Sequence, residues 1–237
     1  MIKFLAKGLI RDRSRSLFPL LTIIITVTLV IFGIGFMEGA MNNFLQSTAV
    51  ISSGHVKVVT KAYEKESSQL PNDLALFETN KIIQNLSDLY PNYFWTPRIT
   101  FGGLLDTPNE YGDTKEQGPV FGIGIDFHSK TSRQIEIWEL EKYLLHGNLP
   151  KNTNDALIST KLAKQLSVNV GNTVTLISTT MDNAFTTYNF EITGIFNLNK
   201  GQVDRQMMLV DISGARQALG MEGAASEILG YHQSLYY

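Results

Sequence analysis

The stretch with the most chemical look is Gly122-Ile123-Gly124-Ile125-Asp126, whose spaced glycines and closing carboxylate have the texture of a phosphate-binding loop. Such a loop turns successive backbone N–H groups toward phosphate oxygens and needs a further glycine at the start of a helix. The third glycine is missing, and the apolar neighbours place the segment within a strand, so packing is the simpler reading. No GxxxxGK[ST] occurs, so the chain cannot itself be an ATPase of the P-loop kind. His55, His128, His146 and His232 follow no ligand spacing such as HExxH, and no GxSxG nucleophile elbow is present. Cysteine is absent, which excludes a disulfide framework, a thiolate zinc site and a thiol nucleophile. Asp204-Arg205, and Glu139 and Glu141 with Lys142, read as solvated charges. Met207-Met208 reads as strand core, with an adaptable lipid- or peptide-binding surface as the alternative. No catalytic, cofactor-binding or metal-ligating residue is therefore expected.

The elements around these residues say more than the residues themselves. The 237 residues are 43% hydrophobic and 18% charged, an ordinary globular average that hides two populations. Ser16 to Met37 carries no charge and is mostly Leu, Ile, Val, Phe and Thr. A helix needs about 20 apolar residues to cross a ~30 Å hydrocarbon core, and Leu17 to Met37 meets that length. A cleaved signal peptide would have a shorter apolar run and a small-x-small site after it. A buried soluble helix would rarely be apolar on every face. Pro19 is expected in the first turn, Thr22, Thr26 and Thr28 can return their hydroxyls to the backbone, and Gly33 and Gly35 offer a small-residue patch.

Lys3, Lys7, Arg11, Arg13 and Arg15 against Asp12 give the first 15 residues a net +4, leaving −6 for the rest of a chain whose total is −2. The basic flank keeps the N terminus on the cytoplasmic side, as the positive-inside rule requires. Phe4, Leu5, Leu9 and Ile10 between the basic residues suggest an amphipathic helix on the inner face, with a disordered flank as the alternative. The acidic remainder is a poor candidate for binding nucleic acid, since that affinity comes from Lys and Arg on phosphates, and no nucleic-acid partner is expected. The organisation is thus a cytoplasmic segment over 1–16, a transmembrane helix over 17–37, a stalk helix over 38–51 and an extracytoplasmic domain over 52–237.

Within that domain His55 to Thr60 alternates like a half-buried strand. Asn72-Asp73 can cap a helix over Leu74 to Leu89, with Leu74, Phe77, Ile82, Leu86 and Leu89 toward a core. Strands are expected over Tyr93 to Leu105, interrupted by Pro97, and Pro119 to Asp126, with Asp106 to Gly118 as a surface loop. Asp155 to Ile158 reads as a short buried strand, followed by a helix capped by Ser159, a Gly171-Asn172 turn and an alternating strand. Thr187 to Phe196 and Gln206 to Val210 are further strands, and Ser213 to Leu219 is a short helix ended by Gly220. Without a strict βαβ rhythm the domain is α+β.

These residues resemble a family. The basic arm, the first span, "GHVKV" (54–58), the run from Gly147 through "DALISTKLAKQL" to "VNVGNTVTL", then "FEITGIF" and "QMMLVDISGARQALG" are similar to the start of a MacB/FtsX-type permease of an ABC transporter. Phe36 to Gly39 with Ser53 to Val56 is closer to the lipoprotein-releasing, Lol-type permeases. The resemblance implies a periplasmic core domain after the first of four spans in the bacterial inner membrane. It also implies a separate ATPase subunit on the cytoplasmic face and a second permease copy or paralogue. ATP-driven helix movement would be transmitted to the domain, without any cofactor held by this chain. Lipoprotein, macrolide, peptide and cell-wall regulation all occur among relatives. The chain stops within what reads as a strand beginning near Ala225, so the resemblance implies an N-terminal fragment. A single-span sensor or adhesion ectodomain is the alternative, and the missing triad or metal set argues against a membrane-anchored hydrolase.

Overall fold

The computed structural model describes residues 13–48, 51, 53–108, 113–129, 133–198 and 205–232. The chain divides into two compact units, Met1–Thr48 and Ala49–Tyr237.

The described residues of the first unit form helix α1, Arg13–Thr48, of 36 residues. At 1.5 Å per residue it is about 54 Å long. Lys3, Lys7 and Arg11 of the basic flank, with the expected amphipathic helix, lie outside the described residues. Arg13 and Arg15 form the helix start. Pro19 is consequently inside the helix rather than in its first turn, because the helix begins upstream on the basic segment. The hydroxyls of Thr22, Thr26 and Thr28 donate to the carbonyls of Phe18, Thr22 and Ile24 at 2.8–2.9 Å. Each polar group is thereby satisfied within the helix, as a hydrocarbon solvent demands. Every side chain from Leu17 to Met41 is exposed. The span-length stretch runs to Met41, past the expected end at Met37. The helix is continuous through the expected stalk as far as Thr48.

The described residues of the second unit include nine strands: β1 Val56–Val58, β2 Tyr93–Pro108, β3 Thr114–Ile125, β4 Leu144–Gly147, β5 Asp155–Ser159, β6 Thr173–Thr179, β7 Phe185–Phe196, β8 Met207–Asp211 and β9 Glu227–His232. The pairings β2–β3, β3–β8, β8–β5, β5–β7, β7–β6 and β6–β2 close a ring of six strands. Closure removes the exposed edges that an open sheet would present. The N-terminal half of β2 leaves the ring to pair with β9, and β1 adds to the outer edge of β9. β4 pairs with the C-terminal end of β7.

Two clusters use the two faces of the ring. Phe101, Val120, Ile158, Leu176, Phe190 and Met208 meet on one side. There they join Leu162 and Leu166, from helix α6 (Thr160–Gln165) and the residue that caps it, and Ala215 and Leu219 of helix α7 (Ile212–Leu219). Ile123, Leu157, Met207, Leu209, Leu229 and Tyr231 meet on the other face, under Trp138 and Leu140. These two residues belong to the short helices α4 (Gln134–Ile137) and α5 (Leu140–Tyr143) and their junction. Strands β5 and β8 are buried along their whole length because both of their faces are covered. The domain is α+β, as its sequence indicated.

Several local expectations shift. The helix expected over 74–89 begins only at Thr79, as α3 (Thr79–Leu89), after a short helix α2 (Lys61–Glu66) and two 3-10 turns. Asn72 does not cap it. Its amide donates to the Thr100 carbonyl at 3.1 Å and its oxygen accepts from Ser226 at 2.6 Å. Leu76 is held in a bridge to Ala225, so the chain there serves the sheet instead of a helix. Phe77 and Leu89, expected inward, are exposed. Pro97 does not interrupt β2: the β3 ladder starts at Ile99, so no bond on that side needs a proline N–H. The expected loop over Asp106 to Gly118 is largely hairpin, since Thr107 Oγ1 both donates to and accepts from the Glu116 backbone.

Candidate functional site

The chemical candidates resolve first. Gly122 and Gly124 lie on β3 with their missing side chains facing the ring interior. A Cβ at Gly122 would come within 2.1 Å of the Phe101 ring, and one at Gly124 within 2.6 Å of the Ala215 Cβ. These glycines make room for an aromatic ring and a helix, and no phosphate loop forms. Met207 and Met208 are both buried, one toward each cluster. Lys142 pairs with Glu139 at 3.1 Å on the surface, while Asp204 lies outside the described residues. Among the described residues no three His, Asp or Glu side chains converge to hold a metal. His146 is exposed on β4 and His128 Nε2 lies 3.6 Å from Asp211. Asp211 is the cap of α7, accepting from the Ser213 and Phe127 N–H groups.

A groove of about 600 Å³ is lined by Phe127, His128, Arg133, Glu136, Glu139 and Lys142 among others. Two ion pairs line it, Arg133 with Glu136 and Lys142 with Glu139. Arg133 holds Glu136 with two bonds of 2.8 and 2.7 Å and lies over the Phe94 ring at 4.6 Å.

The feature with the most unusual physics sits where β1, β9 and β2 run side by side. Arg98 on β2 and Glu227 on β9 are direct register partners. Their side chains are only 5% and 4% exposed. Arg98 Nε and Nη2 donate to Glu227 Oε1 at 2.7 and 2.6 Å, and Lys57 on β1 reaches Oε2 at 3.4 Å. Arg98 Nη1 donates at 2.6 Å to the carbonyl of Ile51. That carbonyl belongs to the first described residue of the second unit. One guanidinium thus ties a carboxylate and a main-chain oxygen together in a dry setting, a task suited to its rigid fork of donors.

Beside it, the His55 N–H donates to Gly230 O at 2.9 Å, and His55 Nδ1 accepts from the His232 N–H at 3.4 Å. The His55 ring meets Tyr231 edge-on, and His232 meets Tyr93 likewise. Burial, with His232 nearby, holds the His55 pKa below its ordinary value. Burial pushes the Tyr231 hydroxyl up. Sequence reasoning missed this corner, since Arg98 and Glu227 are 129 positions apart. The one available signal was an arginine in the middle of an apolar strand.

This arrangement can fix the chain in place; it offers no group poised to make or break a bond. The chain is similar to the crystal structure of the periplasmic region of MacB from Actinobacillus actinomycetemcomitans. That similarity has 14% identity, a TM-score of 0.47, and coverage of 74% of this chain and 72% of that one. No curated protein matches the chain. The family described as MacB-like periplasmic core domain matches residues 16–230. With α1, that match fits a membrane-anchored protein with an extracytoplasmic domain. The chain therefore belongs to the MacB-like periplasmic core domain family, a permease component of ABC transporters.

Proposed function

We propose that this chain is a permease subunit through which a separate ATPase moves an extracytoplasmic domain. The observation that carries the reading is α1 itself, an unbroken helix whose every side chain from Leu17 to Met41 is exposed, in a chain matched to this family. Apolar side chains on all faces of a span-length helix are favourable only in hydrocarbon. On this reading residues 1–16 lie at the cytoplasmic face, 17–37 cross the inner membrane, 38–51 form the stalk and 52–237 work outside. The basic residues Lys3, Lys7, Arg11, Arg13 and Arg15 hold the N terminus inside. The partners are the ATPase, a second permease copy or paralogue, and the bilayer. Release of lipoproteins from the inner membrane is the substrate class favoured by the Lol-type resemblance of residues 36–39 and 53–56.

The test uses a continuous helix as a lever. Asn43→Pro removes a ladder bond and clashes with the preceding turn, at a local cost of about 3 kcal/mol or more. In the complex purified with its ATPase, ATP hydrolysis is expected to persist while export falls sharply. Normal export would end the mechanical reading. Cysteine at Asn109, in an otherwise cysteine-free chain, should react with an impermeant maleimide in intact spheroplasts; labelling only after lysis would reverse the orientation.

A further inference from the structure

We propose that Arg98 is the positioning residue that locks the lead-in residues, 51 and 53–58, onto the β2–β9 pair, so that displacement reaching them is passed into the domain rather than lost in it. The coupling half of this proposal rests on the permease reading above; the locking half does not. Strand β1 is three residues long and pairs on one side only, with β9. Upstream of it the His55 N–H donates to Gly230 O, His55 Nδ1 accepts from the His232 N–H, Ile51 packs against the second cluster, and Arg98 bonds the Ile51 carbonyl.

A buried ion pair is a poor means of adding stability, because desolvation offsets most of its Coulomb gain. What Arg98 adds beyond the pair is its third contact. Nε and Nη2 are occupied by Glu227, which fixes the guanidinium plane, and Nη1 is thereby aimed at the Ile51 carbonyl. Lys57 supplies a second cation to Glu227, so the carboxylate stays compensated if Arg98 is replaced by a smaller cation. A lysine at position 98 can serve Glu227 as a point charge, but it cannot span both acceptors at once.

Arg98→Lys therefore separates locking from folding. Amide hydrogen exchange on the full chain in detergent is expected to show residues 51–60 exchanging about tenfold faster, as the loss of one charge-assisted bond implies. The ring strands should keep their protection and the thermal midpoint should move little. Unchanged protection of 51–60 would overturn the proposal. Arg98→Gln, which keeps a donor but loses the fork and the charge, should loosen the same segment; if it too leaves 51–60 protected, the Ile51 bond locks nothing.

The second readout needs the native complex, purified through this chain with its ATPase. ATP is expected to change exchange in the β2–β9 pair of the wild type. In Arg98→Lys hydrolysis should continue while that change disappears. Survival of the ATP-dependent change in a loosened Arg98→Lys would overturn the coupling role. Absence of any ATPase from the wild-type complex would instead refute the permease reading, with the locking result standing on the first measurement.

Discussion

Helix α1 and the six-stranded ring use the same side chains in opposite ways. In α1, Leu29, Ile31 and Phe32 are between 64% and 69% exposed, whereas in the ring Phe101, Ile158 and Phe190 are at most 1% exposed. Leucine and phenylalanine have one preference, to leave water. In the ring they leave it for each other, and in α1 they could leave it only for hydrocarbon supplied from outside the chain. Polar groups follow the same rule. The α1 threonines bond back to their own helix, while Thr107 and Asn72 bond across to other elements. Exposure alone is therefore no sign of a polar surface; the solvent has to be named first.

Substitutions can break this comparison, and the largest effect should come from the ring. Phe101→Ala leaves a void beside Gly122, where no side chain exists to collapse into it, and should cost about 3–5 kcal/mol. Denaturant unfolding of the second unit would measure it, and a loss under about 1 kcal/mol would mean that the ring interior is not tightly packed.

The buried pair should come next. Glu227→Ala leaves Arg98 charged in a dry setting and should cost roughly 3–5 kcal/mol, whereas Arg98→Met with Glu227→Met should be close to neutral. The contrast, read from the same unfolding curves, would separate the penalty of an orphaned charge from any net gain of the pair. In α1 the analogous change has a different victim. Leu29→Asp should disfavour insertion by about 2.5–3.5 kcal/mol, seen as a lower membrane-inserted fraction, while leaving unfolding of the second unit untouched.

The smallest effect concerns pH. Because the folded His55 pKa lies below its ordinary 6.5, both states are neutral above that value and no stability depends on it there. As the pH falls below 6.5 the unfolded chain takes up its proton first, so stability drops until the folded value is passed. Unfolding midpoints at about pH 7.5 and about pH 5.5 should differ more in the wild type than in His55→Gln, and equal differences would remove His55 from the account.

Legibility followed range. Ser159 caps α6 and Gly220 ends α7 where the sequence placed them, because a cap is settled by residues within one turn. The membrane-length helix was legible for the same reason: its signal is a local run of composition. The α3 start was misread because Asn72 has the right chemistry for a cap, yet its amide is taken by Thr100 on β2 and by Ser226 just before β9, both distant in sequence.

What the sequence by itself determined was the two-part organisation, the α+β class and the absence of any motif for catalysis. Only the tertiary structure decided that six strands close on themselves, that Gly122 is a space for Phe101, and that Arg98 meets both Glu227 and Ile51. Short-range features are fixed by backbone sterics and nearest neighbours. Contacts across 129 positions exist only once strand register brings those positions opposite each other, and register is set by the burial of the whole ring at once.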